Sequence, residues 1–497
     1  MAPAITLAAE TELSAANTGF MLICSALVML MTPALAFFYG GMVRVKSSLN
    51  MLMMSFISLG IVTVLWVLYG FSMAFGTDAG GVVGWNSDWI GLSDIGLTEL
   101  WDGTTIPLFV FVVFQLMFAV LTPALISGAL ADRVKFTAWA LFIALWATVV
   151  YFPVAHWVWG AGGWAFELGV IDFAGGTAVH INAGAAALGV ILVIGKRVGF
   201  KKDPMRPHSL PLVMLGAGLL WFGWFGFNAG SWLGNDDGVG ALMFVNTQVA
   251  TGAAVLGWLA YEKIRHGAFT TLGAASGAVS GLVAITPAGG AVSPLGAIAV
   301  GVIAGVVCAM AVGLKYRFGY DDSLDVVGVH LVGGILGSLL IGFFASGKGQ
   351  SDVEGLFYGG GLDQFWKQCA GVFGVLAYSL VVSRPRGQRL RPPARPHRGL
   401  PGRRVHRRPG AQDPRRGPGR GRRRRAADRG RREGGPHRQD RRRQGLVGPR
   451  RHRRTGADRR ARAGRALRRR PPGATPGKPR EGAEEAERHG NGTGVAG

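Results

Sequence analysis

The chain has 497 residues, 49% of them hydrophobic, with 78 glycines and a formal net charge of +24. That charge is unevenly held: residues 384–497 carry 38 Lys and Arg against 9 Asp and Glu, leaving 15 basic and 20 acidic residues for an apolar, slightly acidic body over 1–383. The three cysteines, Cys24, Cys308 and Cys369, all fall in apolar segments, which excludes a disulfide framework or a cysteine metal site. They read as small core residues.

Residues 1–16 hold Glu10 and Glu12 but no Lys or Arg. A cleavable signal needs a basic stretch first, so the first apolar run is expected to be kept as a membrane span, after an extracellular N-terminal segment. Crossing a hydrocarbon core of ~30 Å takes about 20 residues. Eleven runs qualify: 17–41, 49–75, 105–131, 136–157, 172–195, 209–234, 240–262, 268–286, 293–315, 325–346 and 362–383. Every second connection is basic: Arg44 and Lys46, then Arg133 and Lys135, then Lys196 to Arg206, then Lys263 and Arg265, then Lys315 and Arg317. The others are acidic or uncharged, with five acids and no base from Asp78 to Asp102. Basic loops belong on the cytoplasmic side, which puts the N-terminus outside and the C-terminus in the cytoplasm.

The expected fold is therefore an all-α integral membrane protein of eleven transmembrane helices. Spans one to five and six to ten form two inverted five-helix repeats, and the eleventh helix stands alone. His180 and His330 sit deep in spans five and ten, each preceded by a Val and followed by small residues. Ionisable groups inside spans are costly and mark a path or a cavity. Repeats of opposite topology place such sites at the midplane. His180 comes eight residues after Asp172, roughly 12 Å down a helix, and His330 comes five after Asp325. Approaching from opposite faces, the two rings are expected to meet.

Six segments carry a specific resemblance: FFYGGMVR (37–44), DFAGGTAVHIN (172–182), GWFGFNAGS (223–231), FVNTQVA (244–250), AITPAGG (284–290) and DDSLDVVGVH (321–330). In order and spacing they resemble the ammonium transporter family (Amt/MEP/Rh), over an ammonium transporter membrane domain spanning 17–383. The resemblance implies a homotrimer in the plasma membrane, with one hydrophobic pore through each subunit. It places an outer substrate-recruitment site at Trp159 and Ser231. A Trp face attracts a compact cation and a hydroxyl accepts one of its N–H bonds. It places a two-ring constriction at Phe118 and Phe227, where a dry gate opposes hydrated ions. It gives Asp172 a role in organising the vestibule, Trp224 a place on the pore wall, Thr286 a place in the vestibule, and makes His180 and His330 the paired pore histidines. Two neutral imidazoles sharing one N–H···N bond would leave a donor and an acceptor facing the lumen.

Plainer readings stand beside these. Either histidine could be packing glue, Trp159 an interfacial belt residue, Phe118 and Phe227 core or lipid-facing rings, and Asp172 a helix N-cap. His156 and His208, near span ends, read as surface residues. No catalytic triad, nucleotide loop or metal-ligand cluster appears, so no enzymatic activity, cofactor or metal is expected. Ammonium or ammonia is the expected substrate, with methylammonium as its analogue and the lipid bilayer as surroundings. An ammonium sensor sharing the transporter fold is the alternative. A generic solute channel is a third, disfavoured by the cation site.

From Arg384 onward there is no Ile, Met, Phe, Tyr or Trp. Such a segment cannot bury a core, so 384–497 reads as a disordered, Arg/Gly/Pro-rich basic tail. Its composition is that of an out-of-frame reading of a GC-rich gene, and a frameshift product is the first reading. A tether for nucleic acid or anionic lipid and a lineage-specific extension are the others, and no nucleic-acid partner is expected. The family's cytoplasmic end, which contacts a PII-type regulator, has no match here, which puts that partner in doubt. Arg384 and Arg386 are expected to draw the end of span eleven towards the cytoplasm, since Arg is costly inside a span.

Overall fold

The structure is a computed structural model that describes residues 12–203, 205–350 and 352–384. The readings of residues 1–11 and of the tail from 385 onward lie outside the described residues. Those described hold eleven helices long and apolar enough to cross a membrane: α1 (Ala15–Met42), α2 (Val45–Phe75), α3 (Leu108–Leu130), α4 (Phe136–Glu167), α5 (Gly176–Ile194), α6 (Leu210–Trp232), α7 (Val239–His266), α8 (Thr271–Ala288), α9 (Pro294–Phe318), α10 (Val327–Phe344) and α11 (Asp363–Val382). Each expected span is there, with ends moved by a few residues. Within α4 the continuous helix stops at Trp159, and a single turn, Trp164–Glu167, follows. A small antiparallel hairpin, β1 (Thr77–Ala79) and β2 (Val83–Trp85), lies between α2 and α3 with Asp78 opposite Gly84.

Local chemistry sets several helix starts. Ser14, Ser209, Thr270 and Ser293 each accept a backbone N–H from the residue three further on, which satisfies a donor the helix leaves open. Helix packing rests on small residues. On α9 a Cβ added to Gly301 or Gly305 would lie 2.2 Å from the carbonyl oxygen of Ala250 or Ala254 on α7. Any side chain at those two positions would push the helices apart.

Four of the five basic loops bond to one another at one end of the bundle. Arg44 pairs with Asp132 at 2.5 Å, and the Arg133 guanidinium donates to the carbonyls of Gly195 (2.6 Å) and Asp321 (2.7 Å). Arg197 grips the Asp321 carboxylate at 2.7 Å. Burial opposes charge on Asp321, but the Arg197 side chain and backbone N–H outweigh it and hold the carboxyl below its usual pKa. At the other end Asn17 donates to Thr105 (2.8 Å) and to Asp236 (2.5 Å).

α11 is fixed by polar clamps. The Gln368 amide donates to the carbonyls of Ile171 and Ser338, Ser379 donates to Asn182 at 2.6 Å, and Trp146 donates to Ser383 at 2.9 Å. The helix ends at Val382, and Arg384 is exposed just beyond it.

Candidate functional site

The two histidine-bearing segments share one local construction. His180 lies in a wide π-helical turn, Gly176–Ile181, and His330 in another, Val327–Leu331. Such turns insert a residue into the ordinary helical ladder and re-aim the side chains around them. Each turn follows a residue with left-handed backbone, Gly175 at φ +113° and Asp325 at φ +64°. The N–H groups of Val179 and Val329 bond back to the carbonyls of those residues. A side chain at position 175 would meet Val179 at 2.6 Å, so glycine is required there by space as well as by backbone angle.

Each turn is capped by an Asp eight residues before its histidine. Asp172 accepts the backbone N–H groups of Gly175 (3.0 Å), Gly176 (2.6 Å), Thr177 (2.8 Å) and Ala178 (3.0 Å). Asp322 accepts those of Val326 (3.1 Å) and Val327 (2.7 Å). The sequence reading matched Asp172 with Asp325, and that is corrected here. Asp325 is the counterpart of Gly175, and its carboxylate takes the Lys315 ammonium at 2.5 Å.

With both turns capped, the imidazoles meet. The Nδ1 atoms of His180 and His330 are 3.3 Å apart, with ring centroids 5.3 Å apart and planes 20° from parallel. Both side chains are buried, and the Nε2 of His180 has no hydrogen-bond partner among the described residues. A file of rings leads away from the pair. Phe227 lies 6.2 Å from His180, Phe118 stacks on Phe227 at 4.2 Å, and Trp159 meets Phe118 edge-on at 5.8 Å. Trp224 stacks beside His180 at 5.4 Å.

Outside the stacked phenylalanines lies a cavity of about 380 Å³, lined among others by Trp159, Asp172 and Ser231. Trp159 donates its indole N–H to the backbone carbonyl of Asp172 at 2.9 Å, which holds the ring in place. Ser231 donates to the Phe227 carbonyl at 2.9 Å, which leaves its oxygen free to accept. The Asp172 carboxylate is occupied by its four backbone donors, which is the helix-cap reading of that residue. Thr286 lies deeper than its expected vestibule place: it accepts the Trp224 indole N–H at 2.8 Å and fixes that ring beside His180.

Two residues in motifs already noted act as supports. Asn228 donates to Thr247 at 2.9 Å, and Thr247 in turn donates to the Met243 carbonyl, which ties α6 to α7 behind the rings. His156 corrects its surface reading. It is fully buried, with Nδ1 3.1 Å from the Ala74 carbonyl and Nε2 2.9 Å from the Asp78 carboxylate of the hairpin. His208 is exposed, as read. Among the described residues no three His, Cys, Asp or Glu side chains gather as a metal ion would require.

Eleven apolar helices, with aromatic rings and two imidazoles packed among them, define a multi-pass membrane protein. The family model described as Ammonium Transporter Family matches residues 19–388, and the chain belongs to that family. An ammonium transporter of Mycobacterium tuberculosis is 57% identical over 395 residues, covering 74% of this chain and 83% of the relative. Among solved structures, Mep2 of Saccharomyces cerevisiae matches with a TM-score of 0.70 at 34% identity, covering 76% of this chain and 88% of Mep2. A protein described as Sensor Amt Protein matches with a TM-score of 0.68 at 28% identity, covering 74% of this chain and 91% of that one.

Proposed function

We propose that this chain carries ammonium across the plasma membrane through the path that runs from Trp159 to the histidine pair. The observation that carries the reading is the unbroken series from Trp159 through Phe118 and Phe227 to His180 and His330, with successive ring centroids 4.2 to 6.2 Å apart. Trp159 and Ser231 recruit the cation by the ring face and a hydroxyl oxygen. The stacked Phe118 and Phe227 pair must part for passage and excludes hydrated ions, whose desolvation is costly. Beyond it, His180 and His330 offer a hydrogen-bonded pair to ammonia or to a proton. Trp224, held by Thr286, walls the path, and Asp172 keeps the His180 turn wound.

The proposal extends to assembly and placement. The chain acts as a homotrimer with the basic loops in the cytoplasm and the N-terminus outside. A PII-type partner does not regulate it through residues 384–497. The membrane domain is 17–383, and the tail is a frameshift product. A sensing role on the same fold is the alternative. Relatives up to 57% identical and named as transporters weigh against it. Uptake of labelled methylammonium in cells lacking their own carriers, with ammonium as competitor, tests the reading.

A further inference from the structure

The cavity that holds Trp159 and Ser231 has another wall, from the connection between α10 and α11. Gln350 and Val353 line it there. This stretch is pinned in place. The backbone N–H of Gln350 donates to the Gly290 carbonyl at 2.8 Å, and that of Ser346 donates to Ala291 at 2.9 Å. The chain runs so close that a Cβ on Gly349 would lie 1.8 Å from the Gly290 oxygen. Gln350 is therefore held by its backbone against the turn between α8 and α9, and its side chain is free to serve the cavity.

Its amide oxygen is buried and meets no donor among the described residues. A buried acceptor left unmet is destabilising, and native structures satisfy the great majority of such groups. Two donors of the cavity wall, on Trp159 and Ser231, are engaged elsewhere. The Trp159 indole N–H goes to the Asp172 carbonyl and the Ser231 hydroxyl to the Phe227 carbonyl. The Asp172 carboxylate is filled by four backbone N–H groups. What Trp159, Ser231 and Gln350 offer an occupant thus includes one aromatic face and two oxygens that can accept. That set suits a small cation with several N–H donors.

We propose that Gln350 is a specificity-determining residue of this vestibule, its amide oxygen accepting an N–H bond of the ammonium cation. The inference rests on the ammonium-transport reading and adds a residue to it. Each methyl group placed on the nitrogen removes one donor, so preference for ammonium over its methylated forms depends on how many acceptors the cavity presents. Gln350 supplies one of them.

The test measures uptake of labelled methylammonium by the full chain in cells without their own carriers, with ammonium and dimethylammonium as competitors. Gln350→Met keeps length and removes the acceptor; Gln350→Glu keeps the acceptor and adds charge. The methionine variant should need about tenfold more ammonium for half-maximal competition, as loss of a hydrogen bond to a charged group predicts. Its maximal rate should hold, and its preference for ammonium over dimethylammonium should narrow. The glutamate variant alone should need less ammonium than the unmodified chain, which keeps the test valid if the methionine variant misfolds. Unchanged competition in Gln350→Met, or a Gln350→Glu variant weaker than the unmodified chain, overturns the role of Gln350 and leaves the transport reading standing. Failure of ammonium to compete in the unmodified chain overturns both.

Discussion

Asp172 and Asp322 hold equivalent places, each capping a π-helical turn eight residues before a buried histidine. They differ in load. Asp172 gathers four backbone N–H groups, while the Asp322 carboxylate takes two, and Lys315 donates to the Asp322 backbone carbonyl at 3.1 Å. The two histidines thus meet from differently anchored sides.

Removing the cap at Asp172 should cost stability before it costs chemistry. Asp172→Ala leaves four buried donors open, and loss of a cap alone costs about 0.5–2 kcal/mol, with more for each unmet buried group. Asp172→Asn retains an accepting oxygen and should lose less. Thermal unfolding of the detergent-solubilised protein checks this: the alanine variant should melt well below the asparagine variant. Equal melting points would mean the carboxylate does not hold the turn.

Asp322 should make stability depend on pH near neutrality. Burial, with Asp325 close by, pushes its carboxyl up to about 6, against the opposing pull of Lys315 and two backbone N–H groups. The unfolded value is about 3.9. The folded protein therefore holds this proton more tightly, and the contribution is fully present below about pH 4 and lost as pH rises through 6. The melting temperature should fall from pH 5 to pH 7 more steeply in the unmodified protein than in Asp322→Asn. Parallel slopes would remove Asp322 from the account.

His180 and His330 should behave as one unit. Their Nδ1 atoms lie 3.3 Å apart, so changing either to Ala strips the other of its partner. Transport or its selectivity should fail in each single variant, and the effect of the double variant should be less than additive, because the two residues act as one unit. Strictly additive effects on uptake would show two independent residues.

Residues 388–497 should be dispensable. α11 completes its 20 residues before them, and its clamps, Gln368, Ser379 and Ser383, all lie upstream. A chain ending at 387 should match the full chain in yield of assembled protein and in methylammonium uptake. Loss of either would give the Arg-rich segment a function and end the frameshift reading.

The spans and the histidine pair were legible because each rests on a strong local signal: run length, loop charge, and an ionisable residue inside an apolar run. The Asp322 cap was not, because Asp321, Asp322 and Asp325 crowd one stretch and spacing along an ordinary helix cannot say which of them turns back. The π-helical turns leave no mark in a periodicity read at 3.6 residues. His156 was misjudged because its partner Asp78 is 78 residues away and reaches it only through the hairpin. Gln350 gave no signal at all, since its place depends on a loop seated against Gly290.

The central claim is that Trp159 begins a path for ammonium. Labelled methylammonium uptake should be measured in cells lacking their own carriers, comparing the unmodified chain with Trp159→Leu across a range of ammonium concentrations. Cation–π attraction is worth roughly 0.5–2 kcal/mol. The account therefore predicts uptake that ammonium suppresses in the unmodified chain, and a several-fold weaker suppression in the leucine variant. Uptake indifferent to ammonium, or competition curves that coincide for the two chains, would contradict it.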